Sequence, residues 1–94
     1  MDRRARIEAV LRQRFAPEHL AVIDESHRHA SHPGAAGGGG HFRVVIVSSL
    51  FRNQSRLERQ RAIHTAVADA LRTDIHALAL RALTPEEWAG AREQ

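Results

Sequence analysis

His41-Phe42-Arg43-Val44-Val45-Ile46-Val47-Ser48 is rich in β-branched residues, and Phe42, Val44 and Ile46 fall on one face at period two. The pattern predicts a strand with one apolar face and with Arg43 on the other. Just before it, Pro33, Gly34 and Gly37 to Gly40 cost too much backbone entropy to sit in helix or sheet. Residues 27–40 are therefore expected to form a long, mobile hairpin connection. A second short β-branched run, Leu20 to Asp24, lies on its far side and supplies the antiparallel partner. Further back, Ile7, Val10, Leu11 and Phe15 recur at helical spacing until Pro17 closes the segment, which predicts a first helix.

Downstream of the opening strand, Ser55 and Glu58 form a capping-box pattern, and Ile63, Val67, Ala70 and Leu71 continue one apolar stripe. A second helix is expected from about Arg56 to Arg72. Ala77 to Leu83 alternates small and large side chains as a third strand. Thr84-Pro85-Glu86-Glu87 then sets a cap, a first-turn proline and a reciprocating carboxylate ahead of a short helix carrying Trp88. The fold expected is α+β, in the order αββαβα. Its three-stranded mixed sheet, ordered 1-2-3, is covered on one face by helices one and two through Ile7, Leu11, Phe15, Ile63, Val67 and Leu71. Arg43 and Arg81 belong on the opposite, exposed face. A helical crossover joins parallel strands in right-handed fashion, so strand three starts where strand two starts. His76, just before strand three, is thereby expected to face the loop that holds His27, His29, His32 and His41.

The chain has 94 residues, room for one core and not two, and residues 1–94 are expected to form a single domain. It has no cysteine, which excludes disulfides, zinc-thiolate sites and a nucleophilic thiol; the sulfur of any thiophilic cofactor must come from a partner. All 14 basic residues are arginine, yet the formal charge is only +3, less excess than a dedicated nucleic-acid binder usually concentrates on one face. No uninterrupted apolar segment follows the basic N-terminus, so no membrane span is expected and a soluble cytoplasmic protein is the default. No paired carboxylates and no Ser-His-Asp set point to catalysis, and the chain is expected not to be an enzyme.

Imidazole is the commonest metal-ligand side chain, and the gathering of His27, His29, His32, His41 and His76 at one sheet edge is a physical reason to expect metal coordination. Spacing alone reads His76 first as a polar cap or a hydrogen-bonded histidine at a strand start, and chemistry alone does not separate His29 from His27. His27 and His32 also read as solvated loop residues, His41 as an edge residue able to substitute as a ligand, and His19 and His64 as surface or packed helix-end residues. The glycine run precedes a strand and lacks the lysine of a P-loop, so phosphate cradling is rejected. Arg52, Arg56, Arg59 and Arg61 gather at the start of helix two. They read as a phosphate-binding face, as a contact for acidic partner groups, or as a solvated face partly paired with Glu58.

Several of these segments together resemble the BolA family: Glu25-Ser26-His27-Arg28-His29, His41-Phe42-Arg43-Val44, Arg59-Gln60-Arg61, Ile75-His76-Ala77-Leu78 and Thr84-Pro85-Glu86-Glu87-Trp88. The likeness spans Ile7 to Trp88. It implies a fold like the class II KH domain and partnership with a monothiol glutaredoxin, the two chains sharing a [2Fe-2S] cluster bound also by glutathione. By that resemblance the ligands are His76 and, from the loop, His29. The isolated chain is expected to hold no cluster and to be a monomer or weak dimer. Two positions depart from the family pattern: Gln60 stands where a histidine is usual, and Asn53 where a glycine is common. Asparagine tolerates a left-handed backbone, so the turn is expected to survive. A cluster with thiolates on one iron and two imidazoles on the other has a raised potential, because neutral ligands leave less negative charge. Its occupancy should fall as pH drops and the imidazoles protonate. Duplex DNA, met by the arginine face, is the alternative partner. RNA binding is disfavoured because Phe51-Arg52-Asn53-Gln54 lacks the Gly-x-x-Gly loop of a KH domain.

Overall fold

The computed structural model describes residues 2–25, 41–71 and 77–92. Its elements run α1 (Arg3–Phe15), β1 (His19–Asp24), β2 (His41–Val47), a 3-10 turn (Ser49–Phe51), α2 (Arg56–Leu71), β3 (Ala77–Leu83) and α3 (Pro85–Arg92). The sheet order is β1-β2-β3. β1 pairs antiparallel with β2, while β2 pairs parallel with β3, with His41 opposite Ala77 and Val47 opposite Leu83. The parallel pairing required by a helical crossover is thus present.

Period-two and period-3.6 patterns meet in one core. Phe42, Val44 and Ile46 from β2 are buried against Ile7 and Leu11 of α1 and Ile63, Val67 and Leu71 of α2, with Phe15 packed at the margin. Arg43 and Arg81 lie exposed on the other face, as alternation along a strand requires. Leu20 and Val22 join the core, so His19 belongs to that other face as well. Trp88 of α3 stacks on His19, ring centroids 4.7 Å apart and planes 16° apart, so α3 closes one end of the face that α1 and α2 leave open. His19 therefore opens a strand and is not a helix-end residue. His64, exposed on α2, matches the surface reading.

Local chemistry fixes the ends of the helices. Asp2 caps α1 by accepting from the Ala5 N–H, and Ala16 ends it in the left-handed region at φ 43°. The Ser55/Glu58 capping box forms in both directions: the Ser55 N–H donates to Glu58 Oε1 at 2.7 Å and the Glu58 N–H to Ser55 Oγ at 3.1 Å. Glu58 is thereby a capping group, and the expectation that it pairs with the neighbouring arginines is corrected. Asn53 takes the left-handed conformation at φ 66°, so the turn survives without glycine.

Ser48 ties the 3-10 turn to α1. Its buried Oγ donates to the Phe15 carbonyl at 2.6 Å and accepts from the Leu50 N–H at 3.1 Å. Ser48→Ala is expected to leave the part-buried Phe15 carbonyl without this donor and cost about 1–2 kcal/mol, read as a lower urea midpoint at unchanged slope.

Candidate functional site

Glu25, His41 and Ala77 lie together at one edge of the sheet. The Glu25 N–H donates to the His41 carbonyl at 2.8 Å, and His41 stands opposite Ala77 in the parallel ladder. This is the edge expected to gather histidines. Residues 27–40 leave it between Glu25 and His41 in sequence, and His76 is the residue before Ala77. His27, His29, His32 and His76 themselves, with the hairpin connection, lie outside the described residues. His41 is half-buried at the start of β2. Beside it in the ladder, Arg43 Nε meets Glu25 Oε2 at 3.3 Å, an ion pair that braces the last described residue before the histidine segment. Glu25 was missed as a positioning group because its partner is 18 residues away in sequence. Among the described residues no three His, Cys, Asp or Glu side chains come together as a metal set.

The donor set nonetheless suits one half of a mixed-ligand cluster. Neutral imidazole nitrogen is a good iron ligand, and a chain without cysteine leaves thiolate ligation to another molecule.

The arginine group forms a second region, and its four members differ. Arg59 is largely buried, with 12% of its side chain exposed. It donates to the Gln54 carbonyl, to the Ala82 carbonyl and to Glu87 Oε1 at 2.7 Å, and its guanidinium lies 5.9 Å from the centre of the Phe51 ring. Arg52 forms a two-pronged pair with Glu86. Both therefore spend their donors fastening the turn and α2 to α3. Arg56 and Arg61 are exposed and have no carboxylate partner among the described residues. The Thr84-Pro85-Glu86-Glu87 pattern was legible as a cap, and the Thr84 N–H does donate to Glu87 Oε1 at 2.7 Å. That the same carboxylates neutralise two arginines was hidden, because the pairs span 28 and 34 residues.

The Thr84 N–H, and then Arg59, hold the Glu87 carboxyl below the usual glutamate range. A depressed folded-state value means that its stabilisation is complete above the unfolded-state range and is lost as pH falls through the folded value. Glu87→Gln should accordingly lower stability at neutral pH, where the pair is fully formed, and flatten the acid limb of a stability–pH profile. Because this carboxylate is 47% exposed, the effect should shrink in high salt.

A family model described as BolA-like protein matches residues 11–87. The chain is 44% identical over 90 residues to the DNA-binding transcriptional regulator BolA of Escherichia coli, covering 96% of this chain and 83% of that one. It is 43% identical over 84 residues to human BolA-like protein 1, covering 89% of this chain and 59% of the relative. Among solved structures, the BolA domain of SufE1 from Arabidopsis thaliana matches with a TM-score of 0.79 at 37% identity, covering 93% of this chain and 96% of that one. The solution structure of mouse BolA1 matches with a TM-score of 0.78 at 38% identity, covering all of this chain and 74% of that one. The fold is that of a BolA domain. The chain belongs to the BolA family. No helix among the described residues is long and apolar enough to cross a membrane.

Proposed function

We propose that this chain is the imidazole-donating partner of a monothiol glutaredoxin, the two sharing a glutathione-assisted [2Fe-2S] cluster for iron–sulfur trafficking or for iron or redox sensing in the cytoplasm. The observation that carries the reading is the meeting of Glu25, His41 and Ala77 at one sheet edge, to which both histidine-bearing segments are joined in sequence. His76 and His29 would hold one iron, with His27, His32 and His41 as substitutes. When bound, the cluster supplies one-electron chemistry at a potential raised by its neutral ligands. The chain's own part is to present imidazoles from segments joined to this edge, where His41 is held by its pairing with Ala77 and Glu25 is held by Arg43. The test is reconstitution of the chain with a monothiol glutaredoxin, iron, sulfide and glutathione. The expected visible spectrum differs from that of the glutaredoxin homodimer; an unchanged homodimer spectrum would leave the DNA reading ahead.

Binding of duplex DNA is the second reading, supported by the exposure of Arg56 and Arg61 on α2 and by the description of the Escherichia coli and Haemophilus influenzae relatives as DNA-binding transcriptional regulators. With Arg52 and Arg59 spent on Glu86 and Glu87, few phosphates can be neutralised. Weak binding is expected, its log–log salt slope about −0.9 per phosphate and reduced by about 1 for each of Arg56 and Arg61 replaced by glutamine. Tight operator binding at physiological salt, lost in the double variant, would reverse the ranking of the two readings.

A further inference from the structure

β3 is an edge strand, and among the described residues its outer side is only partly guarded. The Leu83 carbonyl accepts from the Ser48 N–H on the β2 side. Backbone polar groups alternate along a strand, so Ala79, Arg81 and Leu83 address β2 while Leu78, Leu80 and Ala82 address the outer edge. Arg59 donates to the Ala82 carbonyl, consistent with that assignment and capping this one acceptor. Among the described residues nothing pairs with the outward N–H and C=O of Leu80. Beside this edge, between β3 and α2, a cleft of about 350 Å³ is lined by Arg56, Gln60, Leu80, Arg81, Ala82 and Leu83. Arg56 and Arg81 have no carboxylate partner among the described residues, unlike Arg43, Arg52 and Arg59.

We propose that this edge and cleft bind an extended acidic segment of a partner protein, which adds to β3 as a fourth strand and sets acidic side chains against Arg56 on the α2 side of the sheet and against Arg81 on the other side. Two features choose the occupant. The edge offers both donors and acceptors, which a peptide backbone satisfies together, whereas a phosphodiester brings acceptors only and would leave the Leu80 carbonyl unpaired. The two unneutralised guanidiniums and the Gln60 amide then favour an acidic side chain over a neutral one. Exposed edges invite such pairing unless they are blocked, and Arg59 blocks only the Ala82 end. The site is independent of the cluster reading.

The test is titration of the full chain with a capped valine-rich peptide carrying adjacent glutamates, which reach both faces of the sheet, followed by amide NMR shifts and hydrogen exchange. Slowed exchange at the Leu78, Leu80 and Ala82 amides, with Ala79, Arg81 and Leu83 unchanged, is the expected pattern. Affinity should fall about tenfold or more in the Arg56→Gln/Arg81→Gln variant, and by a similar factor when glutamine replaces glutamate in the peptide. Both substituted side chains are exposed, and an otherwise superimposable spectrum checks that the variant is folded. Absence of peptide binding, binding indifferent to these charges, or protection without the alternation would overturn the proposal. So would a short DNA duplex that saturates the same amides while the peptide does not.

Discussion

His76→Ala is expected to abolish the visible circular dichroism of the cluster shared with a glutaredoxin, whereas His29→Ala should weaken it and leave a residual signal. The asymmetry comes from the supply of imidazoles. His76 precedes β3 with no other histidine near it in sequence, while the segment through His27, His29, His32 and His41 offers several. His41 is held at the shared edge by its pairing with Ala77 and Glu25. Association of the two apo proteins, followed by calorimetry, should largely survive both changes and serves as the control for folding and docking. The wild-type and His29→Ala mixtures should lose signal as pH falls, because protonated imidazole cannot ligate. An unaltered spectrum in His76→Ala would remove this histidine from the site, and complete loss in His29→Ala would show that the loop cannot substitute.

The largest effect on stability is expected from Phe51→Ala. Phe51 is fully buried at the end of the 3-10 turn, with its ring centre 5.4 Å from that of Phe15 and the Arg59 guanidinium beside it. Truncation removes a large apolar side chain, opens a cavity and withdraws the surface on which Arg59 rests. A loss of about 3–5 kcal/mol follows, a large share of the roughly 5–15 kcal/mol that holds a domain folded. Urea unfolding should show a sharply lowered midpoint. Phe51→Leu, which keeps most of the volume, should cost much less. If Phe51→Ala lost under about 1 kcal/mol, the site would have to collapse freely around the missing ring, contrary to its position between α1, α2 and the turn.

Elements governed by neighbouring residues were legible in the sequence. The one-sided apolar alternation of Phe42, Val44 and Ile46 set the sheet face, and the Ser55/Glu58 and Thr84/Glu87 boxes set two helix starts, because each depends on residues within one helical turn. The parallel pairing of β2 and β3 was legible too, since crossover handedness leaves little choice. Features that depend on distant partners were not. Ala16 in a left-handed cap carries none of the glycine or asparagine signal of such positions. The 3-10 turn rests on Ser48 reaching Phe15, 33 residues back. His19 read as a surface or packed helix-end residue because its stacking partner, Trp88, lies at the other end of the chain. Charge counting grouped four arginines that tertiary pairing divides into two spent and two exposed. Of the candidate histidine ligands only His41 falls among the described residues, so its pairing with Ala77 is the physical link between the segments that carry the rest.

Imidazole ligation by this chain is tested most directly by pulsed EPR of the reduced cluster, with the chain labelled with ¹⁵N-histidine and the glutaredoxin unlabelled. Hyperfine couplings from two ¹⁵N nuclei of this chain in the wild-type heterodimer, with no heterodimeric cluster signal left to read in His76→Ala, are the predicted result. A heterodimeric cluster showing no coupling to ¹⁵N from this chain would contradict it.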